Sequence, residues 1–523
     1  MKHLVIVSIL ILNACKTFAQ SNFLDPAFGS NGIVIYEGME GNDLCNEIAL
    51  DSMGRILVVG ESFSGAPKDF ALLLRLLPSG LLDSTFGDNG VSKMDFGQPE
   101  NNIQSVAVQK DQKIVVVGNA GFSQTKSVSM ARLWPDGAPD STFGFNGQVV
   151  MPIGSYYNVA SDVKIQDDGK IIVCGSASDV SSDADFFLIR LLPDGSLDPT
   201  FGQNGVVRTG KSGVHENAIE LALQADGKIV VAGQATGPGL APYRVALLRY
   251  LPNGQLDNTF SPPGQYTLNN WQGENRAYAV LIQADGKILI AGESYIDGEE
   301  SVLLARLNSN RTLDNTFGEN GIIRTQFQYG EGASDNCIGL QPDGKVLLTG
   351  FQFIPPSLDI FLLRFNDKGE RDSTFGINGL INTDIYQNDD SPRALIMQPD
   401  EKILIAGYTR DDTVLHCAVV RFLPKLSLDA DDFFDDNALQ PLFYPNPITD
   451  GASVTFELPE KNHLETQLLN IHGQIVMDLG VQVFPAGKST LNLQFPISLK
   501  NGIYFLKLGS ARKSAVIKII LSR

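Results

Sequence analysis

Cysteine, tryptophan and histidine are scarce in this chain of 523 residues, which has five Cys, two Trp and five His. Charged residues make up 19 %, below the quarter usual for a globular protein. Basic residues fall well short of acidic ones, 40 against 59, for a formal charge of −19. A chain this acidic repels phosphate backbones, which excludes nucleic acid as a partner class. Beyond the N-terminal segment no apolar run is long enough for a transmembrane helix, and no stretch keeps a 3.6-residue apolar period. His215, His416, His463 and His472 form no His-x-His or His-Glu-x-x-His pair. No Gly-x-Ser-x-Gly elbow and no phosphate loop is present. What abounds is glycine, 51 residues of it. That balance suits a β-rich protein with many turns, and the length calls for several domains or a repeat array.

The first residues read as an export signal. Lys2 and His3 precede Leu4–Leu12, an apolar run broken only by Ser8, too short to span a bilayer. Thr17-Phe18-Ala19 has the small-x-small pattern of a cleavage site, placing the signal at residues 1–19. The alternative is a lipoprotein signal with Cys15 lipidated. Four cysteines then remain, Cys45, Cys174, Cys337 and Cys417, far apart and without metal-ligand spacing. They are expected to be buried free thiols rather than disulfides, since a domain of this size needs no cross-links.

From residue 20 to 429 the chain repeats itself seven times. The Phe of Leu-Asp-x-Thr-Phe-Gly-x-Asn-Gly falls at 28, 86, 143, 201, 260, 317 and 375. Gln-x-Asp-Gly-Lys-Ile-Val-Val-x-Gly ends at Gly60, Gly118, Gly175, Gly233, Gly292, Gly350 and Gly407. A third motif, Phe-x-Leu-x-Arg-Leu, keeps the same step of 57 to 59 residues. Each repeat reads as four short strands punctuated by Gly, Asn, Asp and Pro, the signature of a seven-bladed β-propeller; a β-solenoid is the alternative. The first strand, Gly32–Glu37, has no partners in its own repeat and the last repeat has only three strands. The ring is therefore expected to close by the N-terminal strand completing the last blade, which removes the open edge.

The motif residues have structural work to do. Asp-Gly supplies the positive φ angles of a tight hairpin. The repeated Phe reads as a wedge between blades. An Arg stands eight residues before an Asp in every repeat: Arg75 and Asp83, Arg190 and Asp198, Arg306 and Asp314, and so on to Arg421 and Asp429. An Arg on an apolar strand needs a partner, so these are expected to be structural pairs rather than seven catalytic ones.

Strands of a meander alternate direction, so the two regular connections share one face and the two variable ones share the other. Function is expected on the variable face. Tyr156, Tyr157, Trp271, Tyr295 and Tyr329 are the candidates there for ligand contact. Asp183, Asp185, Asp297, Glu299 and Glu300 are the acidic residues that would suit calcium; otherwise no cofactor is expected. Catalytic residues are not identified, although paired carboxylates from distant blades remain open.

After Leu428 an acidic stretch reads as a linker over 430–442, and a different pattern opens at Phe443. Six strand-like runs over 443–523 suit a small β-sandwich, with eight basic against five acidic residues. Tyr444-Pro445-Asn446-Pro447, the segment around Gly473, the turn before Gly502 and Tyr504, and the final strand with Lys518 resemble the type A sorting domain of the type IX secretion system. The resemblance implies a Bacteroidota export route, with the translocon and a processing peptidase as partners, and a cargo released or attached to the surface. The seven repeats resemble the delta-60 repeat family, which carries the same Leu-Asp-x-Thr-Phe-Gly and Asp-Gly-Lys-Ile-Val-Val-x-Gly signatures but no defined activity. The whole chain is thus expected to be all-β. Its expected function is that of a secreted or surface-attached binding module for an unknown extracellular ligand. The alternative is a secreted propeller enzyme acting on glycans or other polymers, which a cluster of carboxylates with Arg or Tyr on the variable face would favour.

Overall fold

The computed structural model describes residues 23–424 and 442–521, apart from 39–40, 64–67, 123–124, 181–182, 237–241, 261–266, 269–270, 272, 328–330, 412–413, 445–450, 459–460, 471–474, 497–498, 501 and 510–513. The export signal, Cys15, the acidic linker, Tyr329, Pro445, Asn446, Pro447 and Gly473 lie outside the described residues. The described elements are β-strands. No helix among the described residues is long and apolar enough to cross a membrane. The chain divides into two compact units, one of Leu24–Ser373 with Ile377–Pro424, the other holding Lys425–Arg523.

The first unit is a seven-bladed propeller. Blade 1 is an antiparallel meander of Asn42–Leu50, Ile56–Phe63, Phe70–Leu76 and Val91–Met94. Blades 2, 3, 5 and 6 repeat this order, beginning with Glu100–Val108, Tyr157–Ile165, Glu274–Ile282 and Glu331–Leu340. Blade 4 has three strands, from His215–Leu223 to Arg244–Tyr250, and a single bridge from Ala246 to Thr267 where the others carry a fourth. Blade 7 starts at Asp390–Met397 and takes its fourth strand from the beginning of the chain, Ile33 pairing with Val420 and Tyr36 with Cys417. The first strand of each blade is innermost. All seven of these strands line one axial cavity of about 390 Å³.

Closure brings together residues that are 372 positions apart. Cys45, on the innermost strand of blade 1, is disulfide-bonded to Cys417 of blade 7, with Cα atoms 5.2 Å apart. This corrects the expectation of four free thiols. The pair is invisible locally because only the completed ring makes the two blades neighbours. Cys174 and Cys337 are buried and not disulfide-bonded, and burial, with the Asp162 carboxylate nearby, pushes the Cys174 thiol well above its ordinary range.

Each repeated motif has a physical cause in the fold. Six innermost strands carry a single-residue bulge, skipping Asn46, Gln104, Ser161, Ile219, Tyr278 and Arg393, and the strand of blade 6 carries a wider irregularity between Ala333 and Ile338. The glycine ending the second-strand motif lies against the carbonyl just before the bulge. A Cβ on Gly60 would sit 1.8 Å from the Leu44 oxygen, and one on Gly292 would sit 2.0 Å from that of Arg276, distances no side chain tolerates. In Gly-x-Asn-Gly the asparagine adopts positive φ, as at Asn89 (52°) and Asn204 (51°), a conformation that Asn tolerates better than most residues.

The Arg and Asp of each repeat meet inside a blade. Arg75 Nε lies 2.9 Å from Asp83, Arg190 Nε 2.8 Å from Asp198 and Arg306 Nε 2.7 Å from Asp314. The same pairing holds for Arg132 with Asp140, Arg249 with Asp257 and Arg364 with Asp372. Arg421 pairs with Asp25 at 2.9 Å, which replaces the expected Asp429, a residue outside those described. Asp83, Asp140, Asp198, Asp257 and Asp314 also accept from a Thr two residues on, as Asp198 does from the Thr200 backbone and hydroxyl, and Asp25 accepts from the Ala27 N–H. Each guanidinium also does work beyond its own Asp. Arg190 stacks on Phe201, 4.5 Å from the ring centroid, and donates to the Pro252 carbonyl at 2.5 Å. Arg75 likewise reaches Phe86 and the Pro135 carbonyl. Phe86 is fully buried, and a Cβ on Gly137 in the following repeat would lie 2.8 Å from its ring. One Arg therefore ties its own Asp, its own Phe and the next repeat together. Burial opposes ionisation of these acids, but the Thr hydrogen bonds and the facing cations prevail and hold Asp140 and Asp198 at about 2.

The C-terminal unit is a sandwich of a three-stranded sheet (Leu442–Tyr444, Gly451–Leu458, Gly487–Gln494) and a four-stranded one (Ile475–Phe484, Asn462–Asn470, Gly502–Gly509, Ser514–Leu521). Alternating residues of both sheets fill one core, among them Val454, Phe456, Leu468, Leu491, Leu506 and Ile519. Tyr504 is buried in it, its hydroxyl donating to the Lys500 carbonyl at 2.7 Å. Tyr444 lies on the first strand, Gly502 opens the third strand of the larger sheet, and Lys518 lies on the last, opposite Phe505.

Candidate functional site: the variable-loop mouth of the channel

The meander sets every Asp-Gly hairpin and every Leu-Asp-x-Thr-Phe-Gly connection at one end of the blades, and the connections that differ between repeats at the other. The regular end is stapled the same way around the ring. Differences between blades are concentrated along the channel and at its variable mouth.

Midway along the channel stands a charge cluster built at the positions just after the bulges. Lys164 Nζ lies 3.0 Å from Asp162 and 4.0 Å from Glu220. The carboxylates also bridge blades. Asp162 accepts from the Ser105 hydroxyl at 2.9 Å and the Leu221 N–H at 3.1 Å, and Glu220 accepts from the Val280 N–H at 2.6 Å. Burial, reinforced by Asp162 and Glu47, pushes the Glu220 carboxyl up, although Lys164 opposes the shift. Burial works against the Lys164 ammonium too, but the surrounding carboxylates outweigh it and keep the group charged.

At the mouth, blade 5 contributes the densest set. Tyr278, the bulge residue, donates to Glu293 at 2.8 Å. Arg276 contacts Glu274 at 2.6 Å and Glu293 at 3.8 Å, and stacks 4.2 Å from the Tyr243 ring centroid. A cavity of about 310 Å³ opens beside them. Burial raises both the Tyr278 hydroxyl and the Glu293 carboxyl, so the tyrosine is a neutral donor at neutral pH. Blade 7 adds Arg393, 5.6 Å from the Tyr408 ring centroid. Blade 1 adds Glu61, raised by burial although a hydrogen bond from Asn102 and the Arg393 charge oppose the shift.

Two other displaced carboxyls have a structural role. The residue three positions before the bulge of the innermost strand caps the loop before it. Asn101 accepts from Phe96 N–H at 3.0 Å, Asn158 from Ile153 at 2.9 Å, Glu216 from Lys211 at 3.1 Å and Asp390 from Ile385 at 2.6 Å. Burial pushes the Glu216 and Asp390 carboxyls up, with Asp185 and Asp183 adding to the effect on Glu216 and with Asp384 and Asp359 adding to that on Asp390. Each reaches about 8.

The four aromatic candidates among the described residues do not form one platform. Trp271 is 6 % exposed and belongs to the core beneath blades 4 and 5. Tyr156 and Tyr157 are half-buried on blade 3. Tyr295, on blade 5, is 50 % exposed and lines the cavity there. Of the acidic candidates for calcium, Asp185 is paired with Arg208 at 2.8 Å and Asp183 accepts from the Gly213 N–H at 3.2 Å. Among the described residues no group of acids, His or Cys is arranged to hold a metal ion. Sequence reasoning missed Lys164, Glu220, Arg276, Tyr278 and Glu293. The available signal was positional: Lys164 stands where blades 1, 2 and 4 carry Ala49, Ala107 and Ala222, and Tyr278 where blades 1, 3 and 4 carry Asn46, Ser161 and Ile219.

A ring of stapled blades, closed by its own N-terminal strand, defines a β-propeller. The chain carries seven repeats of the DUF5122 β-propeller, a domain of unknown function, within residues 54–431, and a secretion system C-terminal sorting domain over 442–522. The sorting domain directs the protein through type IX secretion to the cell surface or the extracellular space. No curated protein sequence matches the chain significantly. Among solved structures it is similar to the polysaccharide lyase Uly1 (11 % identity, TM-score 0.45, covering 77 % of this chain and 94 % of that one). It is also similar to a PL25 ulvan lyase (12 %, 0.44, 73 % and 97 %) and to an inactive variant of virginiamycin B lyase from Staphylococcus aureus (7 %, 0.40, 74 % and 98 %). Likeness at this level says nothing of activity.

Proposed function

We propose that the protein is an exported recognition module. In this reading, residues 1–19 take the chain across the inner membrane. The sorting domain engages the type IX translocon and its processing peptidase, and the propeller binds an extracellular ligand at the variable mouth. The observation that supports it is the division of labour between the two faces. One repeats a single staple, while the other carries charged and polar groups that change around the ring, as where the bulge residue is Tyr278 in blade 5 and Arg393 in blade 7. The polar groups of blade 5 are engaged with one another, as in a preformed binding surface. The Tyr278 hydroxyl, raised by burial, is poorly matched to the role of a general base.

A second reading, a secreted enzyme acting on glycans, draws support from the Arg276, Tyr278 and Glu293 cluster, which combines a cation, a phenol and a perturbed carboxyl on one sheet face. One experiment separates the two. The mature chain is screened on a glycan and extracellular-polymer array, with and without calcium, and every bound polymer is then incubated with the protein and assayed for new chain ends. Binding without new ends, reduced by Tyr278→Phe or Glu61→Gln, supports recognition. New ends that disappear in Glu293→Gln establish the enzyme. Removing residues 443–523 is expected to keep the propeller off the cell surface, as read by fractionation.

A further inference from the structure

Blade 5 holds a feature of the mouth with the makings of a sugar subsite. Antiparallel register sets Tyr295 directly opposite Glu274 on one side and Glu300 on the other, with Arg276 opposite Glu293 one rung toward the channel centre. Residues directly opposed, and those two apart along a strand, share a sheet face. The half-exposed Tyr295 ring therefore lies between two carboxylates on the floor of the 310 Å³ cavity. Other blades lack this arrangement. Phe63 of blade 1 is opposed by Asn42, and Phe353 of blade 6 by Leu358.

The lining selects by charge. Three glutamates face one arginine, and that arginine is already held by Glu274 and stacked on Tyr243. A uronate or sulfated sugar would meet net negative charge, and the next cation of the blade, Arg324, is engaged with the Ser294 hydroxyl at 2.9 Å. A ligand rich in donors fits, because carboxylates accept hydroxyl and ammonium hydrogens and a cation is attracted to a tyrosine face.

We propose that this cavity is a subsite for a saccharide unit bearing a free amino group, with the apolar face of the sugar on Tyr295 and its ammonium between Glu274 and Glu300. The proposal rests on the variable face being the ligand face and adds the class of ligand. The test is calorimetric titration of the mature full-length chain, at low salt and slightly acid pH, with glucosamine oligosaccharides. N-acetylglucosamine oligosaccharides, oligogalacturonate and oligolysine are run beside them. The glucosamine oligomer is expected to bind, with the acetylated form about tenfold weaker or more through loss of the charge and oligogalacturonate showing no heat. Tyr295→Ala and Glu300→Gln, both at exposed positions that leave the fold intact by melting temperature, are each expected to weaken binding severalfold.

Equal affinity for the acetylated oligomer overturns the proposal, as does full affinity in Tyr295→Ala. Oligolysine binding as tightly as the sugar assigns the cavity to cationic peptides and overturns it too. If none of the oligosaccharides binds, this subsite fails while the variable-face reading still answers to its own array. If the array also shows no ligand lost on mouth substitution, both fail.

Discussion

Arg421 and Asp25 form an ion pair of 2.9 Å between the last blade and the first turn of the propeller. It is the seventh copy of a pair that the other repeats make within themselves, and Lys402 approaches the same carboxylate at 3.3 Å. Arg421 also stacks on Phe28 and donates to the Pro78 carbonyl, so the join has the chemistry of any other blade boundary. Replacing Asp25 with Asn leaves a buried guanidinium without its counter-charge. The expected loss is about 3 kcal/mol or more, measured as a lower urea midpoint, with Asp198→Asn giving a loss of similar size. A change under about 0.5 kcal/mol would show that the staples are ornamental. The sign with pH follows from the lowered acids. Asp140 and Asp198, at about 2 when folded, add stability that is complete above pH ~4 and disappears as pH falls toward 2.

The Cys45–Cys417 disulfide closes the same ring covalently. Reduction, or the Cys45→Ser/Cys417→Ser double variant, is expected to lower stability by about 2–4 kcal/mol without changing the ligand profile of the mouth. Labelling the folded chain with a thiol reagent is expected to fail at the buried Cys174 and Cys337. Rapid labelling of all four cysteines in the unreduced folded protein would refute the bond.

Asp390 does the same capping job as Asn101 and Asn158, but as an acid raised by burial to about 8. A raised folded pKa means that the folded state holds the proton more tightly. The stability this group gives is complete below the unfolded value of about 4 and drains away as pH rises through about 8. Asp390→Asn removes that dependence. It is expected to leave the melting temperature unchanged at pH 4 and to raise stability by roughly 2 kcal/mol at pH 9. A variant that is less stable than the parent at both pH values would contradict the assignment.

Glu401 holds φ at 64° in the hairpin where most blades place Gly. Glu401→Gly is expected to stabilise the fold by about 0.5–1 kcal/mol through relief of left-handed strain, read as a higher melting temperature. Gln112, at 67°, is a poorer choice, because its side chain accepts from Ser52 N–H at 2.9 Å.

The seven-bladed ring could be read from the sequence because identical jobs recur at identical intervals. A Gly pressed against a bulge, or an Arg bridging two repeats, leaves the same letter seven times. The mouth could not be read this way, because its residues change from repeat to repeat: the same bulge position holds Ser161 in blade 3, Tyr278 in blade 5 and Arg393 in blade 7. Trp271 misled for a related reason. Position in a variable loop predicts exposure, yet the side chain turns into the core shared by blades 4 and 5. The disulfide was hidden because neither cysteine carries a local sign of the other, and only circular closure makes them adjacent. The C-terminal unit lay between these cases: its strands show in the alternation of residues, while the work of Tyr504, a buried ring tethered to Lys500, needs the folded sandwich.

The strand Ile33–Tyr36 completes the last blade, and this makes the propeller a test of its own completeness. A chain halted or cut before Val414–Phe422 has nowhere to lodge that strand and leaves two raw sheet edges, the kind of surface that seeds aggregation. Intact molecules seal themselves and fragments do not. The ring is thus sealed only in a chain that carries both its first strand and its last blade.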